Sequence, residues 1–585
     1  VISIGNSAFS GCTALIGIYM PDSIETVGSS AFYNCTSMEN VKWSEKLESI
    51  ASSAFYNCSS LEAIILPDSI TYIGGSVFAN CKKLSNIRLS KKLEKIGCAA
   101  FKNCTSITEI EIPKSLQSAE YSLYNHSEVF AGCTGLKEVQ FEEGITLIPN
   151  GLFSYCPGLE QIEIPESVTK IGDRSFEYCE NLADVKLPEA LTTIGAYSFE
   201  GCSSIEQIEI PNSVTYIGGS GFANCKKLSN VKLSKKLEKI GCAAFKNCTS
   251  ITEIEIPKSL QSAEYSLYNH SEVFAGCTGL KEVQFEEGIT LIPNGLFSYC
   301  PGLEQIEIPE SVTKIGDRSF EYCENLADVK LPEALTTIGA YSFEGCSSIE
   351  QIELPDAITD MGTYVFYGCK KLTKAHIPTN TKIIMEGTFQ NCTSLKEVNF
   401  PETVTIIRKN AFYNCDALTE ITLPSYITTL EAYAFYGCDL LEKVSIPNSM
   451  TTMGNNVFDG CSELKNVILG NGLQSIPTNA FANCGKLEEM VIPYGVTKID
   501  KSAFVNDPKL LTITLPRTIN TIDSTAFSYA AKMTVYGVAG TYAEEWAESV
   551  GATFVNQEVA ATEVSLNKNE LTINKGATEK LLLTI

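Results

Sequence analysis

The sequence predicts a repeat solenoid, in which short coils stack on one another, rather than a set of separate globular domains. Phenylalanine recurs every 23 residues from Phe9 to Phe527, with two longer steps of 29 residues that end at Phe130 and Phe274. Each interval also contains a short alternation of apolar and polar residues and, in nearly every coil, a cysteine at a fixed place. Self-similarity at a fixed period of this length is the signature of repeat architectures.

One short parallel β-strand is predicted in each coil. Ile162 and Ile164 alternate with Gln161 and Glu163, which is the period-2 pattern of a strand with one buried face. Pro165 then ends the strand because proline cannot donate to a hydrogen-bond ladder. We therefore expect the two isoleucines to face the core and the two polar residues to face solvent.

The segment that contains the phenylalanine and the cysteine predicts a short helical turn on the side opposite the strand. The residue before the cysteine is Gly or Asn in most coils, as at Asn34 and Gly132. These two residue types best tolerate the left-handed conformation that closes a helix. The exceptions, for which the sequence offers no account, are Tyr155, Tyr178, Tyr299 and Tyr322.

The repeat Leu-x-x-Ile-x-Ile-Pro-x-x-Val-x-x-Ile-Gly-x-x-Ala-Phe-x-x-Cys resembles that of the BspA-like leucine-rich repeat surface proteins. The resemblance extends over residues 1 to about 536 and recurs in every coil. It implies a solenoid of leucine-rich-repeat type. It also implies an extracellular or cell-surface protein of bacterial origin, with a role in adhesion or protein binding.

The chain divides into three predicted parts. Residues 1–536 form the solenoid of about 23 coils, of which the first is truncated. Residues 537–556 form a C-terminal cap that covers the last coil, because an exposed terminal coil would be poorly soluble. Residues 557–585 form a linker and the start of a segment that resembles a group 2 bacterial immunoglobulin-like domain, truncated here.

A helix near residues 542–550 is predicted inside the cap. Thr541 and Glu544 have the spacing of a capping box, and Gly551 is a typical helix stop. Tyr542 and Trp546 are four residues apart and would lie on one face of this helix.

A large internal duplication covers much of the solenoid. The segment from Thr71 to Glu209 recurs 144 residues later, from Thr215 to Glu353, with only three differences. A solenoid accepts such an insertion because whole coils preserve every contact between neighbours.

Composition excludes several kinds of partner. The net charge is −25, with 44 basic and 69 acidic residues, whereas a nucleic-acid-binding protein needs a basic face. The sequence contains no apolar run of about 18 residues, so no membrane insertion is predicted.

The 23 cysteines are interpreted as buried free thiols that act as small apolar side chains. No Cys-x-x-Cys is present and the chain has only three histidines, so the sequence predicts no metal site and no cofactor. Successive strands lie about 4.8 Å apart, which is wider than the Cβ separation of about 3.8 Å that a disulfide prefers. No catalytic residues and no enzyme activity are predicted, because no nucleophile elbow, metalloprotease motif or phosphate loop is present.

Two surfaces are candidate binding sites. The first consists of the loops that the two 29-residue coils insert, because tyrosine supplies contact area at low entropic cost; a tolerated surface insertion is the alternative. Their candidate residues are Tyr121, Tyr124, Asn125, His126, Tyr265, Tyr268, Asn269 and His270. The second surface is the outward side of the strands, for which solvated strand surface is the alternative; its candidate residues are Glu109, Glu111, Glu163, Glu209, Glu253, Glu255, Glu307 and Glu353.

The family resemblance implies an extracellular binding module that engages a host or microbial protein. The alternative is a structural spacer that displays another domain, and a third hypothesis is a non-catalytic part of a larger secreted enzyme. A glycan ligand has little support, because the outward strand positions carry few aromatic platforms.

Overall fold

A computed structural model describes residues 1–120, 127–264 and 271–557, and within them the chain forms a stack of about 24 coils. Every strand pair between coils is parallel and in register, so that each residue pairs with its counterpart in the next coil. This confirms the predicted solenoid of leucine-rich-repeat type. No helix in these ranges is long and apolar enough to cross a membrane.

The strand predicted for each coil is present and is called here the first strand. Ile162 is buried between exposed Gln161 and Glu163, as predicted. Ile164, the residue after this strand, is also buried. The first strands are Gly17–Tyr19, Asn40–Lys42, Ala63–Ile65, Asn86–Arg88, Glu109–Ile112, Glu138–Phe141, Gln161–Glu163, Asp184–Lys186, Gln207–Glu209, Asn230–Lys232, Glu253–Ile256, Glu282–Phe285, Gln305–Glu307, Asp328–Lys330, Gln351–Ile352, Lys374–His376, Glu397–Asn399, Glu420–Thr422, Lys443–Ser445, Asn466–Ile468, Glu489–Val491, Thr512–Thr514, Thr534–Gly537 and Thr553–Asn556.

Nearly every coil also contains a second strand of two residues, so the prediction of one strand per coil was incomplete. Its second residue, such as Ile171, points into the core, and the first, such as Lys170, points to solvent. The second strands are Ser3–Ile4, Thr26–Val27, Ser49–Ile50, Tyr72–Ile73, Lys95–Ile96, Ser118–Ala119, Leu147–Ile148, Lys170–Ile171, Thr193–Ile194, Tyr216–Ile217, Lys239–Ile240, Ser262–Ala263, Leu291–Ile292, Lys314–Ile315, Thr337–Ile338, Asp360–Met361, Ile383–Ile384, Ile406–Ile407, Thr429–Leu430, Thr452–Met453, Ser475–Ile476, Lys498–Ile499 and Thr521–Ile522.

The segment around each phenylalanine is a run of turns, not the predicted helical turn. In one coil, the N–H groups of Tyr33 and Cys35 donate three residues back, whereas those of Phe32 and Asn34 donate to carbonyl groups of the next coil. Positive φ occurs at two positions of this coil that are four residues apart, 56° at Ser30 and 59° at Asn34. An α-helix needs successive N–H groups to donate four residues back. The alternation between coils therefore prevents a helix. This surface is called the turn face.

The phenylalanine rings form one column along the core. Successive rings are stacked, with centroids 5.0–5.8 Å apart and planes within 19° of parallel. Rings such as Phe199 are fully buried, whereas Phe9 in the first coil is 37% exposed and Phe527 in the last is partly buried. Phe9 has a stacked neighbour on one side only.

The predicted helix is present at the C-terminal end, as Tyr542–Val550, and follows a short 3-10 helix, Ala530–Lys532. Trp546 is buried, with its ring 5.4 Å from that of Phe527. The helix thus covers the end of the phenylalanine column.

The C-terminal end of this helix was predicted correctly, and the N-terminal end was not. Gly551 closes it at φ 72°, as predicted. The predicted capping box is wrong in detail, because Thr541 makes no side-chain cap and Glu544 accepts a hydrogen bond from the N–H of Gly540 instead. The segment resembling an immunoglobulin-like domain falls on residues 558–585, which lie outside the described residues.

Candidate interaction surfaces

The cysteines form a structural ladder. The thiol of Cys202 donates to the carbonyl oxygen of Phe176 in the preceding coil, at 3.1 Å, and the same bond recurs along the stack. Burial raises the pKa of thiols such as that of Cys179 to about 12, so they are neutral. Cys12 is exposed, and Cys98 and Cys242 are partly exposed. Among the described residues, no group of His, Cys, Asp and Glu is arranged to hold a metal ion.

The tyrosines that precede a ladder cysteine are explained by stacking across the turn face. Tyr155 and Tyr178 have φ values of 59° and 54°, the same left-handed conformation that Asn adopts in other coils. Their rings stack at 5.1 Å, and those of Tyr299 and Tyr322 stack at 5.0 Å in the second copy. The ring contacts offset the cost of a conformation that is unfavourable for tyrosine.

The outward surface of the first strands is called the first-strand face, and all eight of its predicted glutamates are exposed. Parallel register places Glu109 directly opposite Glu138, and it places Glu253 opposite Glu282 in the second copy. Within the described ranges, none of these four carboxylates is in an ion pair. Like charges directly opposite each other destabilise a sheet, so this arrangement is not explained by the stability of the fold.

A shallow depression lies beside each of these acidic pairs. The first has a volume of about 550 Å³, and its rim includes Glu138, Gln161, Glu163 and Lys186. The second, of about 400 Å³, is lined by the corresponding residues 144 positions later. In both, the first strands on the two sides of the depression are not hydrogen-bonded to each other. The duplication therefore gives the first-strand face two equivalent polar hollows.

The ion pairs that cross the first-strand face leave part of its charge uncompensated. Lys137 pairs with Glu160 at 3.6 Å, and Lys281 pairs with Glu304 at 3.4 Å in the second copy. Glu307 pairs with Lys330 at 3.6 Å. None of these pairs includes Glu109 or Glu138, or their counterparts Glu253 and Glu282.

The C-terminal part of the first-strand face carries exposed apolar residues, which were not among the predicted site residues. Ile468 and Val491 occupy the outward position of neighbouring coils and are 58% and 57% exposed. Tyr494, three residues further on, is 70% exposed. The signal was present in the sequence as apolar residues at both outward and inward strand positions.

The candidate loop residues, Tyr121 to His126 and Tyr265 to His270, lie outside the described residues. Their flanks are described and are equivalent in the two copies. Glu120 accepts a hydrogen bond from the Tyr72 hydroxyl at 2.9 Å, and Glu264 accepts one from the Tyr216 hydroxyl at 3.0 Å. Glu120 and Glu264 directly follow the second strands Ser118–Ala119 and Ser262–Ala263.

The sequence matches the family model described as BspA type leucine-rich repeat region in six overlapping copies. The copies cover residues 2–129, 126–227, 192–326, 268–373, 318–442 and 405–534. A comparison with curated proteins finds no match.

Among solved structures, a leucine-rich repeat protein from Bacteroides ovatus is similar, with 26% identity and a TM-score of 0.50. The alignment covers 66% of this chain and 92% of that one. A leucine-rich repeat protein from T. pallidum is 28% identical, with a TM-score of 0.25, over 27% of this chain and 72% of that one. A leucine-rich cell surface protein from Faecalibacterium prausnitzii is 22% identical, with a TM-score of 0.25, over 67% of this chain and 90% of that one.

Proposed function

Since the chain belongs to the BspA-type leucine-rich repeat family, we propose that it is a non-enzymatic module that binds a protein partner through its first-strand face. The partner would be a host extracellular protein or a bacterial surface protein. A location outside the cell is part of the same proposal, because it is what the family resemblance implies.

The observation that carries the proposal is the pair of equivalent hollows on the first-strand face, each next to two opposed, unpaired carboxylates. Repulsion between Glu109 and Glu138 lowers the stability of the free protein. A partner with lysine or arginine side chains at this place would remove that repulsion on binding. Charge complementarity of this kind gives specificity and fast association.

The two inserted loops are a second proposed contact. They are six coils apart, which corresponds to about 30 Å along the stack at ~4.8 Å per coil. Near-identical sequences give the two loops the same chemistry. Two weak, equal sites on one scaffold bind a repetitive partner with a gain of about 10²–10⁴ in avidity, provided that the spacings agree.

The alternative function is a structural spacer. The unbroken phenylalanine column favours it, since a continuous core makes the stack a single extended body. A spacer needs no particular charge pattern on its surface, and replacement of exposed glutamates would leave its role unchanged. The two functions are therefore separated by a binding experiment.

The experiment compares a double variant, Glu109→Lys with Glu253→Lys, which changes one member of each opposed pair, with the unaltered chain. Both are tested against immobilised extracellular-matrix proteins and cultured mucosal epithelial cells. The matched control is Glu180→Lys with Glu324→Lys, which makes the same charge change at exposed sites outside the first strands. We expect at least ten-fold weaker binding of the first variant, about 1.4 kcal/mol, and unchanged binding of the control. Equal binding by all three would contradict a role for this face, and no binding by any would favour the spacer.

A further inference from the structure

A carboxyl group is buried on the turn face in each copy of the duplicated segment. Glu177 is only 2% exposed, and Glu321 is equally buried. One oxygen of Glu177 contacts the guanidinium group of Arg174, which itself stacks over Tyr197 at 4.0 Å. The other oxygen, Oε2, is buried without a hydrogen-bond partner among the described residues. A buried, half-satisfied carboxylate is costly, and the cost is lower when the group is protonated.

The charged groups that face Glu177 do not balance when all of them are ionised. Glu200 and Glu128 are the other carboxylates and Arg174 is the cation that contacts Glu177, while Lys102 pairs with Glu128 at 2.6 Å. Three negative charges therefore meet two positive ones. The remaining titratable neighbours are the hydroxyls of Tyr155 and Tyr178 and the thiol of Cys202, all of which are neutral near pH 7.

The second copy repeats this arrangement around Glu321. Its Oε2 atom also lacks a partner, and Arg318 contacts its other oxygen and stacks over Tyr341 at 4.2 Å. The facing carboxylates are Glu344 and Glu272, and the second cation is Lys246, which pairs with Glu272 at 2.7 Å. The neutral neighbours are Tyr299, Tyr322, Cys323 and Cys346.

Burial raises the pKa of Glu177 and of Glu321 from the ordinary value of 4.5 to about 7, against the opposing effect of the neighbouring arginine. Burial also raises the pKa of Glu200 and of Glu344. The folded protein thus binds protons at these sites more tightly than the unfolded chain does. The resulting stabilisation is fully present below about pH 4.5 and is lost as the pH rises through about 7.

We propose that each cluster takes up one proton when the medium becomes mildly acidic. This uptake stabilises the turn face next to each inserted loop against local opening. Glu128 and Glu272 connect the clusters to the loops, because only one residue separates each of them from the insertion. The part of the solenoid that carries the loops is therefore more resistant to local unfolding in mild acid than at slightly alkaline pH. This inference concerns the response of the fold and does not depend on the proposed function.

Hydrogen–deuterium exchange of the full chain tests the inference, with peptides that cover residues 172–204 and 316–348. After correction for intrinsic exchange rates, we expect protection on the order of ten-fold greater at about pH 5.5 than at about pH 8. Glu177→Gln with Glu321→Gln should abolish this difference and give, at the higher pH, the protection that the unaltered chain has in acid. The control, Glu163→Gln with Glu307→Gln, removes two exposed carboxylates from the first-strand face and should keep the difference.

Two results would overturn the inference. The first is protection in the unaltered chain that stays constant or falls on acidification. The second is a glutamine variant that folds, by circular dichroism, and still responds to pH as the unaltered chain does. If the variant fails to fold, the pH dependence of the unaltered chain decides the question.

Discussion

Each ladder cysteine combines a small apolar volume with a hydrogen-bond donor that reaches across a coil boundary. Cys202 fills the core beside the phenylalanine column and donates to the carbonyl oxygen of Phe176. Alanine at this position would leave the carbonyl with one bond fewer. The period in the sequence predicts the burial of these thiols, but a thiol-to-carbonyl bond between coils cannot be read from it.

The burial of the thiols leads to a prediction about their reactivity. In the native protein, a thiol reagent at neutral pH should modify Cys12, Cys98 and Cys242, and the remaining cysteines only after denaturation. Burial raises the pKa of buried thiols such as that of Cys81 to about 12, and it is the thiolate that reacts. Titration with and without denaturant, followed by mass spectrometry, checks this. Rapid modification of Cys179 or Cys202 in the native state, or native disulfides in the ladder, would contradict it.

Phe199→Ala should lower the free energy of unfolding by about 3–5 kcal/mol. The Phe199 ring is fully buried and stacks at 5.2 Å on both Phe176 and Phe222, so truncation disturbs two coil boundaries. Phe9→Ala is the matched control, because Phe9 is 37% exposed and stacks on one side only. Urea unfolding of both variants measures the difference. Equal losses of unfolding free energy in the two variants would show that a ring stacked on both sides contributes no more stability than a ring stacked on one side.

At the scale of elements, the sequence predicts what has a clear period and misses what is short or depends on neighbours. The first strands follow from alternation such as that of Ile162 and Ile164. A second strand of two residues, such as Lys170–Ile171, is too short to show a period and forms only because the next coil supplies its partner. Gly and Asn before the cysteine correctly indicated positive φ, but this conformation closes a turn rather than a helix.

For the candidate sites, the sequence predicts which side chains are exposed but not which ones meet across a coil boundary. Exposure of Glu109 and Glu111 follows from alternation, whereas the opposition of Glu109 to Glu138 depends on register across a coil of 29 residues. The buried Glu177 was not predicted, because nothing in a single coil marks a charged residue as buried. Its surroundings come from neighbouring coils on both sides.

Trp546→Ala should loosen the C-terminal end of the solenoid. The indole ring is buried against Phe527, and its loss exposes the end of the column, at a cost of about 3–5 kcal/mol to the cap. Hydrogen exchange should increase over residues 504–556 and remain unchanged near Phe199, which is many coils away. A uniform increase along the chain would mean that the stack unfolds as one cooperative unit.

At the scale of the whole molecule, the duplication allows a large deletion without a change of register. Removal of residues 72–215 joins Thr71 to Tyr216. Residues 216–353 have the same sequence as residues 72–209, apart from three differences, so the shorter chain keeps the register of the repeat. Each coil at the junction then contacts an almost identical neighbour, so we expect a folded, shorter solenoid. Circular dichroism per residue and urea unfolding measure this.

A deletion that extends to residue 226 is the control for the shorter chain. It cuts a coil at the wrong place, breaks the ladder at the junction, and should yield an aggregating or partly unfolded protein. If both deletions fold equally well, the coils are more independent than their hydrogen bonds indicate. If neither folds, the two copies are not interchangeable.

The bonds between coils also determine how the molecule responds to tension. The backbone ladders, the thiol-to-carbonyl bonds and the ring contacts all join one coil to the next along the stack, so a pull on the two ends strains the boundaries in series. A boundary that breaks frees 23 residues, which lengthen from a ring spacing of 5.0–5.8 Å to about 75 Å at ~3.3 Å per residue. Tension then drops before the next boundary breaks. The stack is therefore expected to extend in steps, each of which dissipates mechanical energy.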